Sequence, residues 1–251
     1  MRVDEFLERL KLAASVKSLY VRGCFGAPMN DKNKSRYTNN HKYNMRSDRK
    51  QKILSASTDT FGSDCSGIIK ACLGSWSADL NHVYGGTIVN KEQSGISYGK
   101  DHVPDLDDAG MIRACKDATT NFSDIEPGCL VWKSGHVGVY VGDGKVIEST
   151  PSFKDGCQYT NLGNLGFKTG NYRNWTKWGH LPWVEYKTSP ASKNGQNGGN
   201  TQAQELYYIV VKDDNLSKIG NKFGVPWKSI AKLNGIPAPY TIYPGQKIRI
   251  K

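Results

Sequence analysis

Residues 61–74 read FGSDCSGIIKACLG, and the way this stretch folds decides how the rest of the chain is read. Ser63 and Asp64 are both N-cap types, and Ile68, Ile69, Cys72 and Leu73 recur at helical spacing with no proline between them. The spacing predicts a helix beginning at about Asp64. Cys65 then stands among unpaired backbone N–H groups at the positive end of the helix dipole, where a thiol is expected to lose its proton more readily and an oxyanion finds donors. Gly67, one turn in and without a side chain, is expected to let a substrate approach. Free cysteine is more often a packing residue, and Cys72, on the buried face, is read as one. Cys65 differs by its capped position and by a histidine further along the chain.

That histidine lies in GHVGVYVGDGKVIEST, residues 135–150. Alternation puts Val137, Val139 and Val141 on one face of a strand and His136, Gly138 and Tyr140 on the other. Asp143-Gly144 signals a hairpin. A strict two-residue turn would set Glu148 among the valines, a carboxylate against apolar side chains. A three-residue loop with Gly144 in the left-handed conformation instead puts Ile147 there and Glu148 beside His136 and Tyr140. The second register is preferred, with Gly138 leaving room between histidine and carboxylate.

With 251 residues and 37% hydrophobic content, the chain can fill one sizeable core plus a small second unit. Its net charge of +11 favours an anionic partner, but no recognition motif accompanies the charge, so nucleic acid is not expected. The first residues, MRVDEFLERLKLAASVKSLY, read as an amphipathic helix with Phe6, Leu7, Leu10 and Ala13 or Ala14 on one face. They lack the apolar core of a signal peptide, and no run is long enough to span a bilayer. A cytoplasmic location before release is therefore expected. Cys24, Cys65, Cys72, Cys115, Cys129 and Cys157 are expected to remain thiols. No metal ligand set and no cofactor is expected.

The polar, basic stretch from Met29 to Ser55 is expected to be a long surface loop. Residues 75–128 read as loop-rich, with one helix near Asp107 to Lys116 and a closing turn at Glu126-Pro127-Gly128. One or two further strands are expected between Gln158 and Tyr186, where Trp175, Trp178 and Trp183 read as core and edge packing. Three parts result: 1–187, a flexible linker at 188–205 without apolar residues larger than alanine until its end, and a basic βααβ unit at 206–251.

A thiol at a helix start, a histidine opening a strand and a carboxylate on the next strand are the parts of a cysteine hydrolase. Cys65 would attack a carbonyl carbon, His136 would take the thiol proton and pass it to the leaving amine, and Glu148 would orient the imidazole. Asn174 and His180 are further candidates for the orienting position.

At these residues the chain resembles the NlpC-type cell-wall cysteine peptidases: DCSG at 64–67 and GHVGVYVGDGKVIE at 135–148 look like the two signature segments of that family. The resemblance implies an α+β, papain-like catalytic domain with an antiparallel sheet and the nucleophile on a helix N-terminus. It implies Cys65 as nucleophile and His136 as base, with Glu148 where the family often has another histidine. Tyr20 and Ser66 are the matching candidates for substrate contact. Residues 206–251 resemble a LysM domain, with Asp214, Asn215, Leu216, Asn234, Gly235 and Ile236 in the two loops that would hold N-acetylglucosamine-containing glycan. Together the resemblances imply an endolysin-like peptidoglycan hydrolase of bacteriophage or prophage type. It would cut a stem-peptide amide, most simply between γ-D-glutamyl and the diamino acid, with anionic wall polymers as further partners. An N-acetylmuramoyl-L-alanine amidase is the alternative within enzymes. A wall-binding or virion structural protein without activity is the alternative outside them.

Overall fold

The computed structural model describes residues 1–74, 76–81, 88–90, 95–98, 103–186, 207–210, 214–223, 225–243 and 246–250. The chain divides into two compact units, Met1–Ser189 and Pro190–Lys251. The expected linker at 188–205 lies outside the described residues.

The first unit opens with α1 (Val3–Ser15), which buries Val3, Phe6, Leu10 and Ala13 as one apolar stripe. β1 (Ser18–Tyr20) and β2 (Phe25–Pro28) follow. The polar stretch after them is folded, contrary to expectation, into α2 (Asp31–Tyr37), α3 (Lys42–Met45) and α4 (Ser47–Ser55). Tyr37 and Ile53 join Val21, Cys24, Ala27 and Met29 in a small core. The other anchors are polar. Asn44 accepts from the Arg22 N–H at 3.0 Å and donates to its carbonyl at 2.9 Å. Arg49 donates to the Tyr20 carbonyl and pairs with Asp155 at 2.6 Å. A hydropathy reading discounts such anchors because an arginine counts as surface until its partners are known.

β3 (Phe61–Ser63) lies between β1 and β2, parallel to the first and antiparallel to the second, and runs directly into α5 (Cys65–Leu73). Beyond it are β4 (Ile88–Asn90), β5 (Gly95–Tyr98) and β6 (Val103–Pro104), a small antiparallel sheet in a region expected to be loop. None of these strands is long enough to show an alternating pattern. The expected helix is α6 (Asp108–Ala114), capped by Asp107, which accepts from the Gly110 N–H.

The main sheet comprises β7 (Leu130–Lys133), β8 (His136–Gly142), β9 (Lys145–Thr150), β10 (Gly156–Leu162), β11 (Tyr172–Arg173) and β12 (Lys177–Gly179). Its order is β11-β10-β9-β8-β7-β12, antiparallel except for β10 with β11. Three strands therefore follow the hairpin, where one or two were expected. In the β8–β9 hairpin, Asp143 and Gly144 both have positive φ, 50° and 68°, as in a two-residue type I′ turn. The additional residue is Val141, bulged between the Tyr140–Val146 and Gly142–Lys145 pairs. The expected three-residue loop is thus a two-residue turn plus a bulge, and because each adds one residue the face assignment is the same: Ile147 sits opposite Val139. α5 and α1 cover the valine face, and Val137, Val139 and Ile147 share one core with Phe6, Leu10, Ile68, Ile69 and Leu73. Trp175 and Trp178 fill a second core with Val131, Tyr140 and Leu162, and Trp183 packs at the rim of the first.

The second unit is β13 (Tyr207–Ile209), α7 (Leu216–Phe223), α8 (Trp227–Leu233) and β14 (Lys247–Arg249), with β13 and β14 antiparallel. Its core is Val210, Leu216, Ile219, Ile230, Ile248 and Ile250. All six cysteines are free and buried. Among the described residues no helix is long and apolar enough to cross a membrane.

Removing Arg49 leaves Asp155 paired to the exposed Lys52 alone. Arg49→Ala is expected to lower the unfolding free energy by about 3 kcal/mol, with the helices at 31–55 becoming the first target of limited proteolysis. An unchanged urea midpoint would show that the pair does not hold this insertion in place.

Candidate active site

Because β3 is the central strand of its sheet, the chain leaves it at a fixed point, and Asp64 and Cys65 are presented there. Asp64 caps α5: one carboxylate oxygen accepts from the Gly67 N–H at 2.6 Å, the other from the Gly23 N–H at 2.7 Å. Gly67 has a different reason from the one expected. A Cβ there would lie 2.1 Å from the Cys24 carbonyl oxygen, so the missing side chain admits the protein's own backbone and not a substrate.

Cys65 is the first residue of α5 and is 5% exposed. The β8–β9 ladder stops at the Val139–Ile147 pair, and the Val137 N–H turns to the Cys65 sulfur, joined by the N–H of Ser66. Tyr20, whose Cα pairs with that of Ser63 across the β1–β3 ladder, brings its phenol into the field of the thiol and hydrogen-bonds Arg22. An open cleft of about 360 Å³ begins at the thiol and is lined by Arg22, Phe25, Asp64, Ser66, Lys70 and Asp105 among others. In this setting burial, and then the charge of Asp64, push the Cys65 thiol up to about 12, against the pull of the Val137 N–H and Arg22. The expectation of a lowered thiol is therefore corrected: as folded, Cys65 carries its proton.

His136 opens β8, next to the residue whose N–H faces the sulfur. Its Nε2 meets Glu148 Oε2 at 2.5 Å, and its ring lies stacked on Trp175, 5.5 Å between centroids and 14° between planes. Glu148 is fully buried. It also accepts from Thr160 Oγ1 at 2.6 Å and from Arg173 Nε at 2.9 and 2.7 Å. Burial alone would raise this carboxyl, but His136, Arg173 and Thr160 together hold it below its ordinary range. Among the described residues Nδ1 of His136 has no hydrogen bond, and none joins the ring to Sγ of Cys65. The arrangement has the parts for acyl transfer: a thiol among backbone donors, an imidazole fixed by one nitrogen, and an ionised carboxylate behind it.

The space expected at Gly138 is filled, since a Cβ there would lie 2.7 Å from Val146 and 3.2 Å from Trp175. Neither of the further orienting candidates reaches His136. Asn174 packs on Gly163, and His180 bonds Asp117 and Glu126. Arg173 and Thr160 are not singled out as site residues by sequence, and Trp175 reads with Trp178 and Trp183 as packing, one of the three being left open to face a substrate groove. The alternation of YRNW, with Arg173 and Trp175 on one face, was the available signal.

Comparison with known proteins bears mainly on the second unit, where a family model described as LysM domain matches residues 208–251. Residues 208–251 are a LysM domain. N-acetylmuramoyl-L-alanine amidase sle1 of Staphylococcus aureus, in strains USA300 and NCTC 8325 alike, is 38% identical over 63 residues, 25% of this chain. The match lies over the LysM part, and the chain spans 17% of the length of these relatives. A solved structure, the P60 domain of an antigen from M. avium subspecies paratuberculosis, aligns with a TM-score of 0.38 and 12% identity, over 71% of this chain and 93% of that one.

Several of the positions expected to hold glycan are committed to building the LysM fold. Leu216 is buried in its core. Asn234 donates to the carbonyls of Ile230 at 2.8 Å and Arg249 at 2.5 Å and accepts from the Arg249 N–H at 2.6 Å, locking the end of α8 to β14. Asn215 accepts from the Lys218 N–H at 2.9 Å and so caps α7, and Asp214 accepts from the Tyr208 hydroxyl at 2.8 Å. Asn215 and Gly235 are exposed, and Ile236 is half-buried.

A carboxylate depressed in the folded state stabilises the fold above its ordinary value and loses that contribution as pH falls through its folded value. For Glu148 that loss begins as pH drops below 4.5. Glu148→Gln is expected to be less stable at neutral pH and to show a flatter acid limb in thermal melts. Parallel limbs for the two proteins would refute the assignment of Glu148 as a paired, ionised group.

Proposed function

We propose that the chain is a peptidoglycan hydrolase that cleaves an amide bond of the stem peptide through Cys65 and His136, with Glu148 orienting the imidazole, in a papain-like first unit. The observation that carries this is the buried Glu148 fixing Nε2 of His136, one residue from the N–H that faces the Cys65 sulfur. The LysM domain, of a kind that binds peptidoglycan, supplies the address. The excess of positive charge favours approach to anionic wall polymers.

Because the resting group is a thiol, proton removal accompanies attack. His136 Nδ1 takes the Cys65 proton as sulfur bonds to the carbonyl carbon, and the Val137 N–H stabilises charge remaining on sulfur. The oxyanion falls to the backbone N–H of Cys65 at the helix start. His136 then gives its proton to the leaving nitrogen, the C–N bond breaks, and a thioester remains. Water, deprotonated by His136, attacks the thioester, and the returning proton restores the thiol. Glu148 stays ionised throughout and stabilises the imidazolium. Ser66, which lines the cleft, would contact the peptide beside the scissile bond, whereas Tyr20 is buried behind the cleft lining and would act through the thiol whose field it shares.

The bond between γ-D-glutamyl and the diamino acid is the proposed target. Digests of purified walls analysed by mass spectrometry should show a new amino terminus on the diamino acid. One on L-alanine would make the enzyme an amidase, and binding with no new amino terminus would make it a wall-binding protein. Cys65→Ala should lose all activity while still sedimenting with walls. Iodoacetamide should label Cys65 slowly at neutral pH and faster as pH rises, and rapid labelling at neutral pH would contradict the protonated thiol.

A further inference from the structure

β12 is the edge strand of the main sheet, and its pairing with β7 runs Lys177–Trp132, Trp178–Val131, Gly179–Leu130. One step further, the register sets His180 opposite Cys129. The turn before Cys129 closes with its N–H on the Glu126 carbonyl at 3.2 Å and brings the Glu126 side chain to the same place. His180 Nε2 meets Glu126 Oε1 at 2.5 Å, and one ligand atom from each of Glu126, Cys129 and His180 lies within 4.8 Å of the others.

We infer that Glu126, Cys129 and His180 form a binding site for a zinc-class divalent cation, the fourth position being taken by solvent. The donor set decides the class: one sulfur, one imidazole nitrogen and one carboxylate suit Zn²⁺, whereas Ca²⁺ and Mg²⁺ call for oxygen. Zinc sits about 2.3 Å from sulfur and about 2.0–2.1 Å from nitrogen, so tetrahedral ligand atoms stand about 3.3–3.7 Å apart. Reaching that spacing takes movements of about 1 Å. The His180 and Glu126 side chains, 30% and 46% exposed, have that freedom, and the fully buried Cys129 is the fixed vertex.

The surroundings hold the imidazole as a metal ligand is held. Asp117 accepts at Nδ1, and its other oxygen accepts from the His180 backbone N–H at 3.0 Å, which leaves Nε2 as the outward nitrogen. The Tyr186 ring meets the imidazole edge-on at 4.3 Å, with its hydroxyl donating to Gly128 at 2.9 Å. An imidazolium between two carboxylates would account for Asp117, His180 and Glu126 and leave Cys129 as a packing residue of the second core. A cation uses all of them and ties the sheet's edge strand to the start of β7.

The test uses the full chain, stripped with a chelator and titrated with Co²⁺. One equivalent should bind, with a thiolate-to-cobalt band in the near ultraviolet and visible d–d bands that Zn²⁺ displaces. Cys65→Ala should keep the band in full, because the nucleophile is not a ligand, and Cys129→Ala should abolish it. Glu126→Gln, on the exposed side and compatible with folding, should weaken Co²⁺ binding about tenfold or more. No band in the unmodified chain, its survival in Cys129→Ala, or unchanged affinity in Glu126→Gln would each overturn the site.

Discussion

A fully buried carboxylate in the middle of a sheet is the constraint on which the first unit depends. An ionised group so placed costs several kcal/mol unless its oxygens are satisfied, and Glu148 is satisfied from three strands. Thr160 comes from β10, Arg173 from β11 and His136 from β8. The short parallel strand β11 thus has a purpose that its two residues would not suggest, since it delivers the arginine. Once Arg173 and Thr160 hold Glu148, the carboxylate in turn holds one nitrogen of His136, and Trp175 fixes the plane of the ring. A histidine so held presents its remaining nitrogen in one direction.

The thiol is governed by a contest between a local and a non-local effect, and magnitude settles it. A helix terminus stabilises a neighbouring charge by about 1 kcal/mol. Raising a thiol from 9.0 to about 12 corresponds to about 4 kcal/mol against the thiolate. Burial against β8 and β9, with Asp64 adjoining, therefore outweighs the helix dipole. The capping residue contributes to both sides: Asp64 orders the helix that presents Cys65 and adds a negative charge that opposes its ionisation. A thiol kept protonated by burial is also protected from adventitious oxidation, because the thiolate is the reactive form.

The LysM domain shows the same economy on a smaller scale. A module of two helices and two strands has few side chains to spare, and Asn234 serves as a clasp between α8 and β14 with three hydrogen bonds. The expected glycan-contact positions left exposed are Asn215 and Gly235.

The sequence by itself determined the elements whose pattern is local. Periodicity and a capping pair defined α5, alternation and Asp143-Gly144 defined the β8–β9 hairpin, and the cost of burying Glu148 among valines decided which face it took. The C-terminal segment carried its family pattern whole. Only the tertiary structure decided what depends on partners far away in the chain. It converted a basic stretch into helices anchored by Arg49 and Asn44, gave Gly67 a backbone to accommodate, raised the Cys65 thiol and set His180 across from Cys129. The physical reason is that periodicity is written into neighbouring residues, whereas burial and charge compensation are properties of a place. The residues that make such a place, Arg173 and Glu148 above all, are separated by 25 positions and meet only when the sheet closes.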